Sequence, residues 1–124
     1  MNNKKNNGFR AAFGNAFTGF DYAFRTERNL KIHFSITVMV ITAGVLLKIS
    51  ALEWAVIILT IGAVFVTEMI NTAIEYTVDL ASPEKHDLAR KAKDVSAGAV
   101  LAIAASSAVI GLIIFLPKII ALLF

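Results

Sequence analysis

Glu68-Met-Ile-Asn71-Thr-Ala-Ile-Glu75-Tyr-Thr-Val-Asp79 carries three carboxylates and one carboxamide at spacings of 3, 4 and 4 residues. On a helical wheel these four side chains share a stripe about 80° wide. The stripe closes a strongly apolar run, Trp54 to Thr67. An acid in such a run costs about 2.5 kcal/mol or more when it faces lipid. The stripe must therefore point at water, a cation or another helix. With Glu27 it makes four acids, and the bases Lys93, Arg90 and Arg10 approach the same interface. Carboxylates beside phosphate oxygens suit Mg²⁺, which takes one or two carboxylates plus substrate phosphates, and a lysine offsets phosphate charge. Glu68 lies deeper, in apolar surroundings where it would act as a base toward a lipid-borne hydroxyl. That combination describes phosphoryl transfer. Two other readings use the same residues: ion pairs that only hold a helix bundle together, such as Glu75 with Lys93, and a proton- or cation-coupled transport subunit. The acids cluster toward one interface and do not trace a path through the bilayer, which counts against transport.

The chain around this stripe has 124 residues, enough for one domain; it is 57% hydrophobic with a mean hydropathy of +0.72, the composition of an integral membrane protein. It has no cysteine, which excludes disulfides and thiolate chemistry. No cleavable signal peptide is apparent. The basic residues flank apolar spans and give no nucleic-acid signature. There is also no Gly-x-x-x-x-Gly-Lys-Ser/Thr loop and no protein-kinase motif set.

Residues 1–8 are polar and read as frayed. Phe9, Phe13, Phe17, Phe20 and Phe24 then recur at helical spacing on one face, predicting an amphipathic helix over 9–29 that lies in the membrane interface or packs its Phe face on protein. A first span follows over 30–49, short between Lys31 and Lys48, with His33 one turn inside as an interfacial polar group rather than a metal ligand. Ser50 and Glu53 have capping-box spacing before a second span over 52–79. Residues 80–94 break the helix, with Ser82 expected to cap a new helix that has Pro83 in its first turn. The third span, 95–117, repeats small residues at Gly98, Ala102 and Ser106, and at Ser107 and Gly111, a pattern that permits close helix approach. Pro117 and Lys118 are expected to mark its far interface. Lysine and arginine divide ten to two between the two sides, so the N-terminus and the 80–94 loop are expected in the cytoplasm and the C-terminus outside, at the inner or plasma membrane.

One longer pattern is specific. Glu68-x-x-Asn71-Thr-Ala-Ile-Glu75-x-x-Val-Asp79, followed by Ser82-Pro-Glu84-x-His86 and Ala92-Lys93-Asp94-x-x-Ala97-Gly98-Ala99-Val100, resembles the signature of the bacterial diacylglycerol kinase/undecaprenol kinase family. The resemblance covers nearly the whole chain. It implies an all-α membrane protein: an N-terminal amphipathic interfacial helix plus three transmembrane helices, assembled as a homotrimer with active sites shared between subunits. The implied activity is transfer of the ATP γ-phosphate, with Mg²⁺, to a membrane lipid alcohol. By motif, Glu68 is the general base and an acceptor-site residue, and Glu27 and Glu75 are the metal ligands. Glu84 and His86 lie near the adenine, and Lys93 and Asp94 near the phosphates and ribose. Asn71 and Asp79 support the same motif. Arg10 and Asn15 are nucleotide candidates at the less securely aligned N-terminal end. Leu30-Lys31-Ile32-His33 stands where the diacylglycerol-preferring branch carries Phe-Arg-Gln-Glu; Lys31 is the lipid-contact candidate there. Asp79-Leu-x-Ser82-Pro83-Glu84 and Ala97-Gly98-Ala99-Val100 look more like the undecaprenol kinase branch. The implied acceptor is undecaprenol, with diacylglycerol as the alternative, by branch-level analogy alone.

Overall fold

A computed structural model describes residues 8–124 as four helices: α1 (Gly8–Thr26), α2 (Arg28–Leu46), α3 (Ala51–Ala81) and α4 (Asp87–Leu123). The expectation of a frayed start falls mostly on residues 1–7, outside the described residues; Gly8 already belongs to α1. Among the described residues the regular elements are all helices, and α2, α3 and α4 are each long and apolar enough to cross a membrane. Most large apolar side chains lie on the outside of the chain, the reverse of a soluble domain.

The amphipathic helix stops earlier than its pattern suggests. Glu27 is extended (φ −100°, ψ 113°) and stands at the N-cap of α2 without a side-chain capping bond, so Arg28 and Asn29 already belong to α2. The break leaves the Glu27 carboxylate free to reach across to α3. Along α1 the Phe stripe divides. Phe9, Phe13 and Phe17 are exposed, whereas Phe20 stacks on Phe65 at 6.5 Å and Phe24 meets Phe34 edge-on at 5.5 Å. One end of the stripe packs on protein and the other is free for the membrane interface.

The α2–α3 turn is closed by local bonds. Lys48 adopts φ 53°, and the Lys48 and Ile49 N–H groups donate to the carbonyls of Val45 and Gly44, a Schellman ending. Ser50 and Glu53 form the expected capping box, with Glu53 N–H on Ser50 Oγ at 3.2 Å and Ser50 N–H on Glu53 Oε1 at 2.9 Å. Gly44 permits this turn to close, because a Cβ there would come within 2.7 Å of the Trp54 ring.

The α3–α4 connection corrects the expected cap. Ser82 is the C-cap of α3, and α4 starts at Asp87 with His86 at its N-cap. Proline one or two residues past a helix end is a stop signal as well as a start signal, and Pro83 acts here as the stop. The far boundary differs too: α4 continues through Pro117 to Leu123. Membrane helices tolerate an internal proline when neighbours re-satisfy the freed groups.

α3 and α4 form the main antiparallel pair. Glu53 meets Lys118 at 3.1 Å at one end, and Asp79 meets Lys93 at the other. The buried Ile49, Ile57 and Ile114, with Val40, Trp54 and Phe115 around them, make an apolar core toward the Lys48 end.

Candidate active site

The carboxylate stripe points at other helices, and its members grow more exposed toward the end of α3. Glu68 is 3% exposed, Asn71 and Glu75 are half-buried, and Asp79 is exposed. At 1.5 Å per residue Glu75 lies about 10 Å beyond Glu68 along the helix, and Asp79 about 16 Å.

Each member has a defined partner. Glu68 Oε1 lies 3.0 Å from His33 Nε2 of α2. Asn71 donates through Nδ2 to Glu75 Oε1 at 3.3 Å and accepts through Oδ1 from the Ser96 hydroxyl of α4. Asn71 thus fixes Glu75 from one side while α4 fixes Asn71. Lys93 pairs with Asp79, so the alternative pairing of Lys93 with Glu75 is not the one formed. Glu27 reaches α3 next to Glu75: the Tyr76 hydroxyl lies 3.4 Å from Glu27 Oε1, and Tyr22 packs edge-on against Tyr76 at 6.2 Å.

Glu27 and Glu75 fit a hard divalent cation in kind. Each has one oxygen in a neutral hydrogen bond, and among the described residues Oε2 of each has no side-chain partner. Among the described residues no three potential ligands gather in one place. Two carboxylates without a third match Mg²⁺ shared with phosphate oxygens, not a protein-only cage.

The nucleotide candidates occupy a separate cleft of about 620 Å³ at the α3–α4 connection, lined by Asp79, Glu84, His86, Arg90, Lys93 and Asp94 among others. His86 Nδ1 accepts the Leu88 N–H at 3.1 Å, which fixes that ring nitrogen as the unprotonated one and leaves Nε2 for another partner. Asp87 takes Arg90 at 2.8 Å and Lys91 at 3.0 Å, and these cations hold its carboxyl below the usual carboxylate range. Arg90 also approaches Asp94 at 3.6 Å. Arg10 and Asn15 are exposed on α1 and do not line this cleft. Lys31 is exposed in the first turn of α2 and does not line it either.

Two side chains joined to these residues, Tyr76 and Ser96, escaped the sequence reading, and His33, expected as an interfacial polar group, proves to be the partner of Glu68. His33 carried a usable signal. It is the only ionisable residue between Lys31 and Lys48, and Glu68 is the only one between Glu53 and Glu75. Lone ionisable groups in apolar spans tend to pair with one another.

The chain is similar to known proteins over most of its length. The family described as prokaryotic diacylglycerol kinase matches residues 14–115. An undecaprenol kinase of Bacillus subtilis is 46% identical over 112 residues, covering 90% of this chain and 91% of that protein. A diacylglycerol kinase of a Synechocystis species is 42% identical over 113 residues, which span 90% of this chain and 65% of that longer protein. A diacylglycerol kinase of Pseudomonas aeruginosa is 36% identical over 88 residues, 71% of this chain and 72% of its own.

Proposed function

The chain belongs to the prokaryotic diacylglycerol kinase family, and from that premise we propose that it is a lipid kinase that phosphorylates undecaprenol with ATP and Mg²⁺. As a member of a membrane lipid kinase family with three spanning helices, it is a multi-pass membrane protein that takes ATP and a membrane lipid alcohol as substrates. The finer reading rests on one observation: a carboxylate buried in an apolar span, Glu68, lies about two helical turns from the half-buried Glu75 on a helix that ends at a cleft lined with charge.

Glu68 takes the proton of the lipid hydroxyl. The hydroxyl oxygen then bonds to the γ-phosphorus, the bond from that phosphorus to the β–γ bridging oxygen breaks, and ADP leaves. Little covalent work falls to the protein in such a transfer; positioning and charge neutralisation do most of it. Glu27 and Glu75 would hold Mg²⁺, which supplies neutralisation of phosphate charge. Lys93 and Asp94 hold the phosphates and ribose, with Asp79 paired to Lys93 to fix it. Glu84 and His86 line the adenine end, His86 with Nε2 free. Asn71 orients Glu75. Arg10 and Asn15 lie on α1 outside this cleft and would join the nucleotide site from a neighbouring subunit, and Lys31 contacts the lipid.

We place the site on the cytoplasmic side, where ten of the twelve lysines and arginines gather, with the C-terminus outside. We also propose a homotrimer with shared sites. Its support is the stripe Gly98, Ala102 and Ser106, exposed on α4, where a Cβ at Gly98 would meet nothing within 4 Å in the single chain. Undecaprenol is favoured by the high identity to the Bacillus undecaprenol kinase over nearly its full length. Diacylglycerol is the second reading, because two of the other relatives carry that name.

The test is an acceptor competition. Protein in bilayers receives Mg-ATP with undecaprenol and diacylglycerol together, and both phosphorylated products are counted. The expected result is a strong preference for undecaprenol. A preference for diacylglycerol would keep the enzyme class and overturn the acceptor.

A further inference from the structure

His33 and Glu68 are each the single ionisable side chain of an apolar stretch, and the fold sets Nε2 of one 3.0 Å from Oε1 of the other. Resting on the reading of Glu68 as the base, we propose that His33 is a positioning residue that holds the Glu68 carboxylate by donating Nε2–H to Oε1 and leaves Oε2 for the acceptor hydroxyl. A base must be ionised to accept a proton, and an ionised carboxylate only accepts hydrogen bonds, so the hydrogen in this contact belongs to the imidazole.

Burial gives the bond its importance. Glu68 is 3% exposed, and a buried carboxylate without a donor is strongly disfavoured. The neighbouring hydroxyls of its own helix are not that donor, because Thr72 Oγ1 bonds the Glu68 backbone carbonyl at 3.1 Å and Thr67 Oγ1 bonds the Ala63 carbonyl at 2.7 Å. Among the described residues, His33 is the side chain that bonds the carboxylate. On α2 the Thr37 hydroxyl donates to the His33 backbone carbonyl at 2.7 Å, so Glu68 is the side chain that the ring itself bonds among the described residues.

The same ring borders an apolar cavity of about 330 Å³ between α2, α3 and α4, lined by Ile36, Val40, Ile61 and Ala104 among others. Glu68 is the ionisable group that α3 turns toward His33, and the cavity wall from α4 carries Ala104, Ser107, Ala108 and Gly111 with no charge. His33 lines this cavity and Glu68 does not, so the residue that holds the carboxylate also borders an apolar space, the environment suited to a hydrocarbon chain. During transfer the hydroxyl proton passes to Oε2 while His33 keeps its Nε2 hydrogen throughout. His33 acts through Glu68 and does not itself touch the reacting atoms.

The experiment compares wild type with His33→Ala, His33→Gln and Glu68→Gln, purified in bilayers with Mg-ATP and undecaprenol. His33→Ala should lower kcat about 10- to 100-fold, the scale of losing a partner that orients a reacting group, with KM for ATP unchanged. His33→Gln, whose amide N–H can still donate, should recover most of the loss. The chain has two histidines, so ¹⁵N-histidine spectra resolve the ring directly. The Nε2–H signal of His33 should move when Glu68 becomes Gln, which also decides the bond if His33→Ala fails to fold. An unchanged kcat in His33→Ala, or a His33 signal indifferent to Glu68→Gln, would overturn the proposal. Full activity in Glu68→Gln would instead remove Glu68 as the base, a different failure that the spectra would show separately.

Discussion

The two ends of the α3–α4 pair are built to different rules. At the Lys48 end the polar groups close on one another: the Schellman turn uses the last carbonyls of α2, the capping box uses Ser50 and Glu53, and Lys118 takes the outer oxygen of Glu53. Ile49, Ile57 and Ile114 pack beneath. At the Lys93 end the helices part at Ser82 and resume at His86, and the gap is a cleft lined with charge. Between the two lies His33–Glu68, a buried polar pair inside apolar surroundings. Self-satisfied bonds at one end can only contribute stability. Carboxylate oxygens and ring nitrogens with a side left open at the other are available to a ligand. Substitutions at the first end should move stability, and those at the second should move turnover.

The largest effect should come from Glu68→Gln. Removing a positioned general base typically costs about 10²- to 10⁴-fold, and the isosteric amide still fits beside His33. Turnover should fall by that factor while the thermal midpoint in detergent stays close to wild type. A retained kcat would show that the buried acid belongs with the structural end of the molecule.

Glu75→Gln should act next, on cation dependence. Asn71 can still bond the amide oxygen, so the fold of α3 is kept. Half-maximal activity should then require about 10- to 100-fold more Mg²⁺, and chelation with EDTA should abolish activity in both proteins. An unchanged Mg²⁺ titration would separate Glu75 from the metal.

Ser50→Ala probes the other end. It removes the acceptor for the Glu53 N–H, and losing such a cap costs about 0.5–2 kcal/mol. The unfolding midpoint should drop while kcat and the Mg²⁺ requirement stay as in wild type. A loss of turnover at a temperature where the variant is folded would mean that the two ends are coupled.

The contrast between the ends also explains what could be read from the chain. The capping box was legible because its partners are three residues apart, and the stripe 68–79 was legible because one helix carries it. The all-helical class and three candidate spans followed from composition and periodicity. The join of His33 to Glu68 spans 35 residues and depends on how α2 crosses α3, which periodicity does not encode. Ser96 on Asn71 and Tyr76 on Glu27 were hidden for the same reason. Ser82-Pro83 misled because the same dipeptide fits a helix start and the residues just after a helix end, and the cap of α4 is a histidine ring nitrogen, outside the usual capping set. Glu27 falls within the last turn of the amphipathic helix expected over 9–29, yet it stands at the break between α1 and α2.

Lys48→Gly should have the smallest effect and the opposite sign. Lys48 holds φ 53°, a left-handed backbone that costs a residue with a Cβ about 1–2 kcal/mol. Glycine removes that strain while keeping both N–H bonds of the turn, but it also adds freedom to the unfolded chain, which returns part of the gain. The net rise in stability should be below about 1 kcal/mol. Turnover should not change, because the residue lies at the end that closes on itself. Lys48 is also one of the two cations on that side, so glycine there widens the charge asymmetry that sets orientation. A measured loss of stability would mean that the lysine side chain contributes more than its backbone costs, and that the closed end depends on a charge as well as on its local bonds.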